Sequence, residues 1–164
     1  MSSGESVDDL VRIPCRHVHL PGNPKIGAMR NAGCRLTGGN IIAHFDDDDY
    51  SGPDRLRVQV DALLASGKAV AGFRSMRFTD GKQWWEYTGR AQYALGTSLV
   101  YLRSWWAQHP FPEVQVAEDF GFTEEARRAQ QLHVDAAGDL MWATIHPENT
   151  SPRQTKGKNW RLIA

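Results

Sequence analysis

Four consecutive aspartates, Asp46–Asp49, are the densest chemistry in this 164-residue chain. Two carboxylates about 4 Å apart repel by roughly 1 kcal/mol in water, and by several times that when partly buried. Such a cluster persists if it is solvated, protonated or neutralised by a cation. It follows an apolar run, Asn40–Phe45, that reads as a buried strand. The acids therefore fall at a strand's C-terminal edge, where α/β sheets gather their ligands. Side chains alternate along an extended chain, so Asp46 and Asp48 are expected on one side and Asp47 and Asp49 on the other. Two carboxylates on one side are hard oxygen ligands suited to Mg²⁺ or Mn²⁺, ions that keep waters and complete their shell with substrate phosphates. The competing reading is a solvated acidic turn capping the helix that begins at Pro53, for which Asp49 alone would suffice.

The elements that must position these acids can be read on either side. Lys25–Leu36 has helical character and stops at Gly38-Gly39. Pro53 opens a second helix that runs to Ser66 and stops at Gly67, with Leu56, Val60, Leu63 and Leu64 near one face. Ala69–Phe78 is apolar and β-prone, Asp80-Gly81 signals a hairpin, and Gln83–Tyr87 is the return strand. Arg16–Leu20 and Thr97–Leu102 read as short strands, Phe120–Leu132 as a helix, and Leu140–Ile145 as a last apolar run. Asn149–Asn159 reads as a loop crossing the surface. Strands alternating with helices give an α/β class, and the hairpin makes the sheet mixed.

Composition narrows the function. The chain is 41% hydrophobic and carries 19 basic against 19 acidic residues, a net charge of +0. This excludes most disorder and argues against a chain built to coat nucleic acid or an anionic membrane. No apolar stretch approaches the ~20 residues needed to span a bilayer. Met1–Leu10 is polar and acidic, so no secretory signal is expected and the location expected is cytoplasmic. Cys15 and Cys34 stand outside any CxxC or Cys/His cluster and read as two buried free thiols.

Three blocks carry a resemblance. Lys25-Ile-Gly-Ala-Met-Arg-Asn-Ala-Gly33, then Gly38–Phe45, then Asp46-Asp-Asp-Asp-Tyr-Ser-Gly-Pro-Asp-Arg-Leu56 resemble the central block of family 2 glycosyltransferases with the GT-A fold. The matching spacings are Arg30-Asn31-x-Gly33, Asp46-x-Asp48-Asp49 and Pro53-x-x-Leu56. Gly96-Thr-Ser98, Tyr101-Leu-Arg103, Pro110-Phe-Pro112 and Glu118-Asp119 are similar to the acceptor-side segment of that family. His146-x-x-Asn149-Thr-Ser151 is similar to its segment after the last core strand.

The resemblance implies a metal-dependent inverting transfer of a sugar from a nucleotide-diphosphate sugar, a UDP-sugar above all, to a carbohydrate or other hydroxyl acceptor. By that resemblance Asp48 coordinates Mn²⁺ or Mg²⁺, with Asp46 and His146 as further ligands. Lys25, Arg30, Asn31, Asp46 and Asp47 line the nucleotide-sugar site. Asp119 is the general base, with Glu118 beside it. Residue by residue, other readings stand next to these. Glu118-Asp119 suits plain capping of the following helix. A lone His146 after a strand suits a structural hydrogen bond. Trp84 and Trp85 suit core packing as well as an acceptor platform, and alternate faces on a strand; Thr97 joins them on the acceptor side.

The implied architecture is one GT-A-like domain over residues 1–164, a mixed sheet flanked by helices with core 16–149 and tail 150–164. The expected first βαβ unit is lacking. That expectation carries two others: an exposed sheet edge near Arg16–Leu20, covered by the tail or by a second copy, and, as alternative functions, a catalytically degenerate binding module or a nucleotidyltransferase.

Overall fold

The computed structural model describes residues 15–150, apart from 17, and 155–164. The opening Met1–Leu10, His17 and Ser151 lie outside the described residues. Among the described residues four α-helices, α1 (Ile26–Leu36), α2 (Arg55–Ser66), α3 (Arg103–Gln108) and α4 (Glu118–Arg128), are interspersed with eight strands and one 3₁₀ turn at Gly96–Ser98. The strands are β1 (Ile41–Ala43), β2 (Tyr50–Ser51), β3 (Val70–Thr79), β4 (Trp84–Thr88), β5 (Val100–Leu102), β6 (Leu132–Ala136), β7 (Met141–Thr144) and β8 (Trp160–Leu162).

The sheet is mixed, as the hairpin at Asp80-Gly81 requires. Along one edge of the long strand β3, β5 and β4 pair antiparallel; along the other, β6 and β7 pair parallel. β1 extends the sheet beyond β5, β8 beyond β4, and β2 beyond β7. β3 is central because it is apolar on both faces: Val70 packs under α1 and α4 with Cys34, Tyr101, Phe111, Phe122 and Ala126, and Ala71 packs under α2 with Leu63 and Val100. Phe73, Met76 and Phe78 form a third cluster with Leu95, Met141 and Ala143. Phe111 and Phe122 stack with ring centroids 4.1 Å apart, and each buried ring contributes roughly 1.5–3 kcal/mol of transfer free energy.

Several local expectations change. Residues 15, 16 and 18–20 carry no strand; Arg16 instead donates to the Leu36 carbonyl at the end of α1 (3.0 Å). The expected exposed edge near Arg16–Leu20 is therefore not there, and the strand at that end of the sheet is β1. The tail supplies β8, which pairs with β4 at the opposite end. Cys34 is buried, but Cys15 is exposed.

The largest correction is the facing of α2. Leu63 is buried as expected, but Leu56 and Leu64 are 42% and 61% exposed, and the buried face is Arg55, Gln59 and Leu63 at i, i+4, i+8. A polar pair displaces two leucines from the core side because backbone carbonyls and an acidic cluster lie there. Gln59 donates to the Ser98 carbonyl (2.8 Å) and accepts from Arg55 Nε (2.9 Å).

Candidate active site

The four aspartates do not run as an extended chain. Asp46–Asp49 forms a turn closed by the Asp49 amide donating to the Asp46 carbonyl (3.3 Å). The turn breaks the expected alternation: one carboxylate oxygen each from Asp46, Asp48 and Asp49 lies within 4.8 Å of the others, and exposed Asp47 is outside the group. Asp49 does not cap α2, whose N-cap is Asp54. Its carboxylate accepts from Thr97 Oγ1 (2.6 Å) and from the Thr144 amide (3.0 Å), tying the turn to the segment before β5 and to β7. Burial pushes Asp49 up to about 6, with Asp46 and Asp48 adding to the rise and the Thr97 and Thr144 hydrogen bonds opposing it.

Beneath the turn lies Arg55, fully buried. Its guanidinium donates to Gln59 Oε1, to Ser51 Oγ (2.8 Å) and to the Thr97 carbonyl (3.1 Å), and it lies 4.5 Å from the Phe45 ring centroid. Burial lowers it to about 10 while Asp46 and Asp49 pull it back up, so it is the fixed counter-charge of the cluster. Its signal in the sequence is its place in the Asp46–Leu56 block, because Arg55 lies off the Leu56, Val60, Leu63 and Leu64 face that the pattern marks as apolar.

His146 Nε2 lies 2.8 Å from Asp48 Oδ2, and Asn149 Nδ2 donates to the same oxygen (3.3 Å). A reciprocal turn sets the pair: the His146 amide donates to Asn149 Oδ1 (2.8 Å) and the Asn149 amide to the His146 carbonyl (3.1 Å).

The second acidic pair opens α4. Ala117, before it, has φ 67°, a left-handed conformation uncommon for a non-glycine residue. Glu118 is buried and accepts from Arg30 Nε (3.0 Å). Asp119 Oδ2 accepts from Tyr93 Oη (2.8 Å) and the Gly96 amide (3.1 Å), and Oδ1 from the Phe120 amide (2.8 Å). A Cβ on Gly96 would stand 2.7 Å from Asp119 Cβ, so only glycine lets the carboxylate reach that amide.

Arg30 joins the two acidic motifs. Besides Glu118 it reaches His44 Nδ1 (2.6 Å) and, at 3.9 Å, Asp46. A guanidinium only donates, so Nδ1 accepts and the His44 proton sits on Nε2. It is then donated to Tyr101 Oη (2.8 Å), whose own hydrogen goes to Cys34 Sγ (3.1 Å). Burial, then the Arg30 charge, hold His44 well below the usual histidine range.

The remaining predicted residues are placed as follows. Asn31 is a brace: it donates to the Phe111 carbonyl (2.9 Å) and accepts from the Phe111 amide and Trp106 Nε1 (both 3.0 Å). Lys25 is exposed at the start of α1. Thr97 is buried and its hydroxyl is held by Asp49. Trp85 lies in the core opposite Phe78, whereas half-buried Trp84 meets Trp142 on the other face of the sheet. Arg55, His44, Tyr93 and Tyr101 are the site residues that motif reading missed.

This arrangement, a strand ending in a carboxylate turn over a mixed sheet, defines a GT-A-type nucleotide-sugar fold. The sequence model of Glycosyl transferase family 2 matches residues 2–138, and the chain belongs to that family. No curated protein matches. Among solved structures the chain is similar to S. aureus TarS 1-349 in complex with UDP-GlcNAc, at 20% identity and TM-score 0.63, covering 80% of this chain and 42% of that one. The same protein in complex with UDP matches at 21% identity and TM-score 0.57, covering 76% and 41%, and S. aureus TarS at 21% and 0.58, covering 79% and 26%. The chain thus spans about two fifths or less of the chains it matches. Among the described residues no helix is long and apolar enough to cross a membrane.

Proposed function

We propose that the protein transfers a sugar, with inversion, from a UDP-sugar to a hydroxyl acceptor, using a divalent cation held by Asp46, Asp48 and Asp49. The observation that carries this reading is the convergence of those three carboxylates within 4.8 Å, joined through Arg30 to Glu118 next to Asp119. The donor set fits a hard ion such as Mn²⁺ or Mg²⁺, because each residue offers an anionic oxygen and Asp48 also faces His146. Such an ion, when bound, supplies charge neutralisation at the leaving diphosphate.

The chain's own residues carry the rest. Asp119 is the base: its carboxylate takes the proton of the acceptor hydroxyl as that oxygen bonds to the anomeric carbon and the bond to the diphosphate oxygen breaks. Displacement from the face opposite the leaving group inverts the anomeric centre. Tyr93 and the Gly96 amide fix the aim of Asp119, and Arg30 holds Glu118 so that the base and the acidic turn keep one geometry. The TarS structures with UDP-GlcNAc and with UDP support the choice of donor.

Calorimetry of UDP with and without Mn²⁺ tests the reading, followed by sugar release from UDP-GlcNAc. Binding that requires Mn²⁺ and is lost in Asp48→Ala is expected. Equal binding by Asp48→Ala sinks the metal assignment. UDP binding with no sugar release points to a degenerate binding module instead.

A further inference from the structure

We propose that His44 is a positioning residue that holds the Arg30 guanidinium off Asp46, so that the Asp46 carboxylate stays open to a cation; this rests on the metal-dependent reading above. Arg30 Nη1 stands between two acceptors, His44 Nδ1 at 2.6 Å and Asp46 Oδ1 at 3.9 Å. Opposite charge ordinarily closes such a gap, because a hydrogen bond between two ions is stronger than one to a neutral group. Here the charged acceptor is the distant one. With Nδ1 accepting and Nε2 donating, the ring that takes the donor is neutral.

The ring prevails because it is fixed on every side. His44 follows β1, two residues before Asp46, and its amide donates to the Leu99 carbonyl (2.9 Å), which continues the β1–β5 ladder. Its ring packs against Phe111 and Tyr101, with centroids 5.4 Å away in both cases. Nε2–H is committed to Tyr101 Oη, and the Tyr101 hydroxyl is committed in turn to Cys34 on α1. Tyr101 and Cys34 are both buried, so this chain of bonds is closed off from solvent. Nδ1 therefore faces Arg30 as a fixed lone pair.

Swinging Nη1 to Asp46 would strand that lone pair, and a buried acceptor left unmet is destabilising. The other end of the guanidinium is anchored by Nε donating to Glu118 (3.0 Å). Arg30 is thus held at two points, neither of them in the acidic turn. The separation matters because the Arg30 side chain is only 16% exposed and that of Asp46 38%. An ion pair closed there would be desolvated enough to compete with a divalent ion for the same carboxylate.

Two amide variants separate the roles of the two ring nitrogens. His44→Asn sets Oδ1 where Nδ1 stood, keeping the acceptor for Arg30 and losing the donor to Tyr101. His44→Gln reaches Tyr101 with its amide and leaves no acceptor at the position of Nδ1. Calorimetry should show Mn²⁺ binding about tenfold or more weaker in His44→Gln, and within about threefold of the parent in His44→Asn. His44→Leu, which keeps neither group, should match His44→Gln and replaces it if that variant does not fold. In an Arg30→Gln background His44→Leu should change the Kd by less than about twofold, because the competing cation is gone. Metal-free crystal structures should show Nη1 within hydrogen-bond distance of Asp46 in His44→Gln and His44→Leu, but not in His44→Asn. Where the parent binds Mn²⁺, equal affinity of the Asn and Gln variants, the reverse order, or a loss that persists without Arg30 overturns the assignment. So does an Arg30–Asp46 separation that stays open in both His44→Gln and His44→Leu. A parent that binds no Mn²⁺, while Arg30 still closes on Asp46 in these variants, refutes the metal reading alone and leaves the His44 clamp standing.

Discussion

The acidic turn makes a prediction with a definite sign. Asp49 stands at about 6 in the folded protein, against an ordinary 3.8. The folded state therefore binds more protons than the unfolded state between those values, and stability falls as pH rises through that window. Below about pH 4 the contribution is fully present; above about pH 7 it is gone. A gap of about two pKa units corresponds to roughly 3 kcal/mol. Asp49→Asn isolates the effect, because an amide Oδ1 still accepts from the Thr144 amide while Nδ2 donates to a Thr97 hydroxyl that rotates to accept. Urea unfolding of both proteins, metal-free, at intervals from pH 4.5 to 8 gives a difference curve in which the titrating groups that do not interact with Asp49 cancel. The parent should lose about 2–3 kcal/mol relative to Asp49→Asn across the window. Saturating Mn²⁺ should then restore about 2.7 kcal/mol to the parent at a hundredfold excess over Kd, and much less to the variant. A flat difference curve, or one that rises with pH, refutes the claim that burial and the neighbouring carboxylates dominate the environment of Asp49.

Three further outcomes follow from the same geometry. Arg55→Met removes the buried counter-charge and three hydrogen bonds, and should cost about 3–5 kcal/mol in urea unfolding at pH 8, less at pH 5 where Asp49 is protonated. Gly96→Ala drives a methyl to within 2.8 Å of Asp119 Oδ2; sugar transfer should fall about 100-fold while calorimetric UDP affinity holds. Asn31→Ala strands the Phe111 amide and carbonyl and Trp106 Nε1, and should cost about 2–3 kcal/mol by thermal or urea unfolding.

Much of the frame was legible because its signals are local. Gly67, in the left-handed region at φ 63°, ends α2 at the expected place, and Asp80-Gly81 closes the β3–β4 hairpin with Asp80 accepting from the Lys82 and Gln83 amides. The acidic run at the end of β1 also needed no tertiary information. What failed locally had nonlocal causes. Leu56 and Leu64 have the spacing of a core face, but the helix rotates to place Arg55 under the carboxylates. β6, β2 and β8 were missed because each is defined by a partner strand rather than by its own pattern.

By itself, then, the sequence determined α1, β1, α2 and the β3–β4 hairpin, the family block from Lys25 to Leu56 and the identity of the acids. Tertiary structure alone decided which three acids converge, and what each of them touches. Asp49 is held by Thr97 and Thr144, 48 and 95 residues away, and Arg30 meets Glu118 across 88 residues. Caps and turns are set by forces that act within a few residues of chain. The charge state and aim of a carboxylate are set by burial and by partners that only the closed sheet brings within 3 Å.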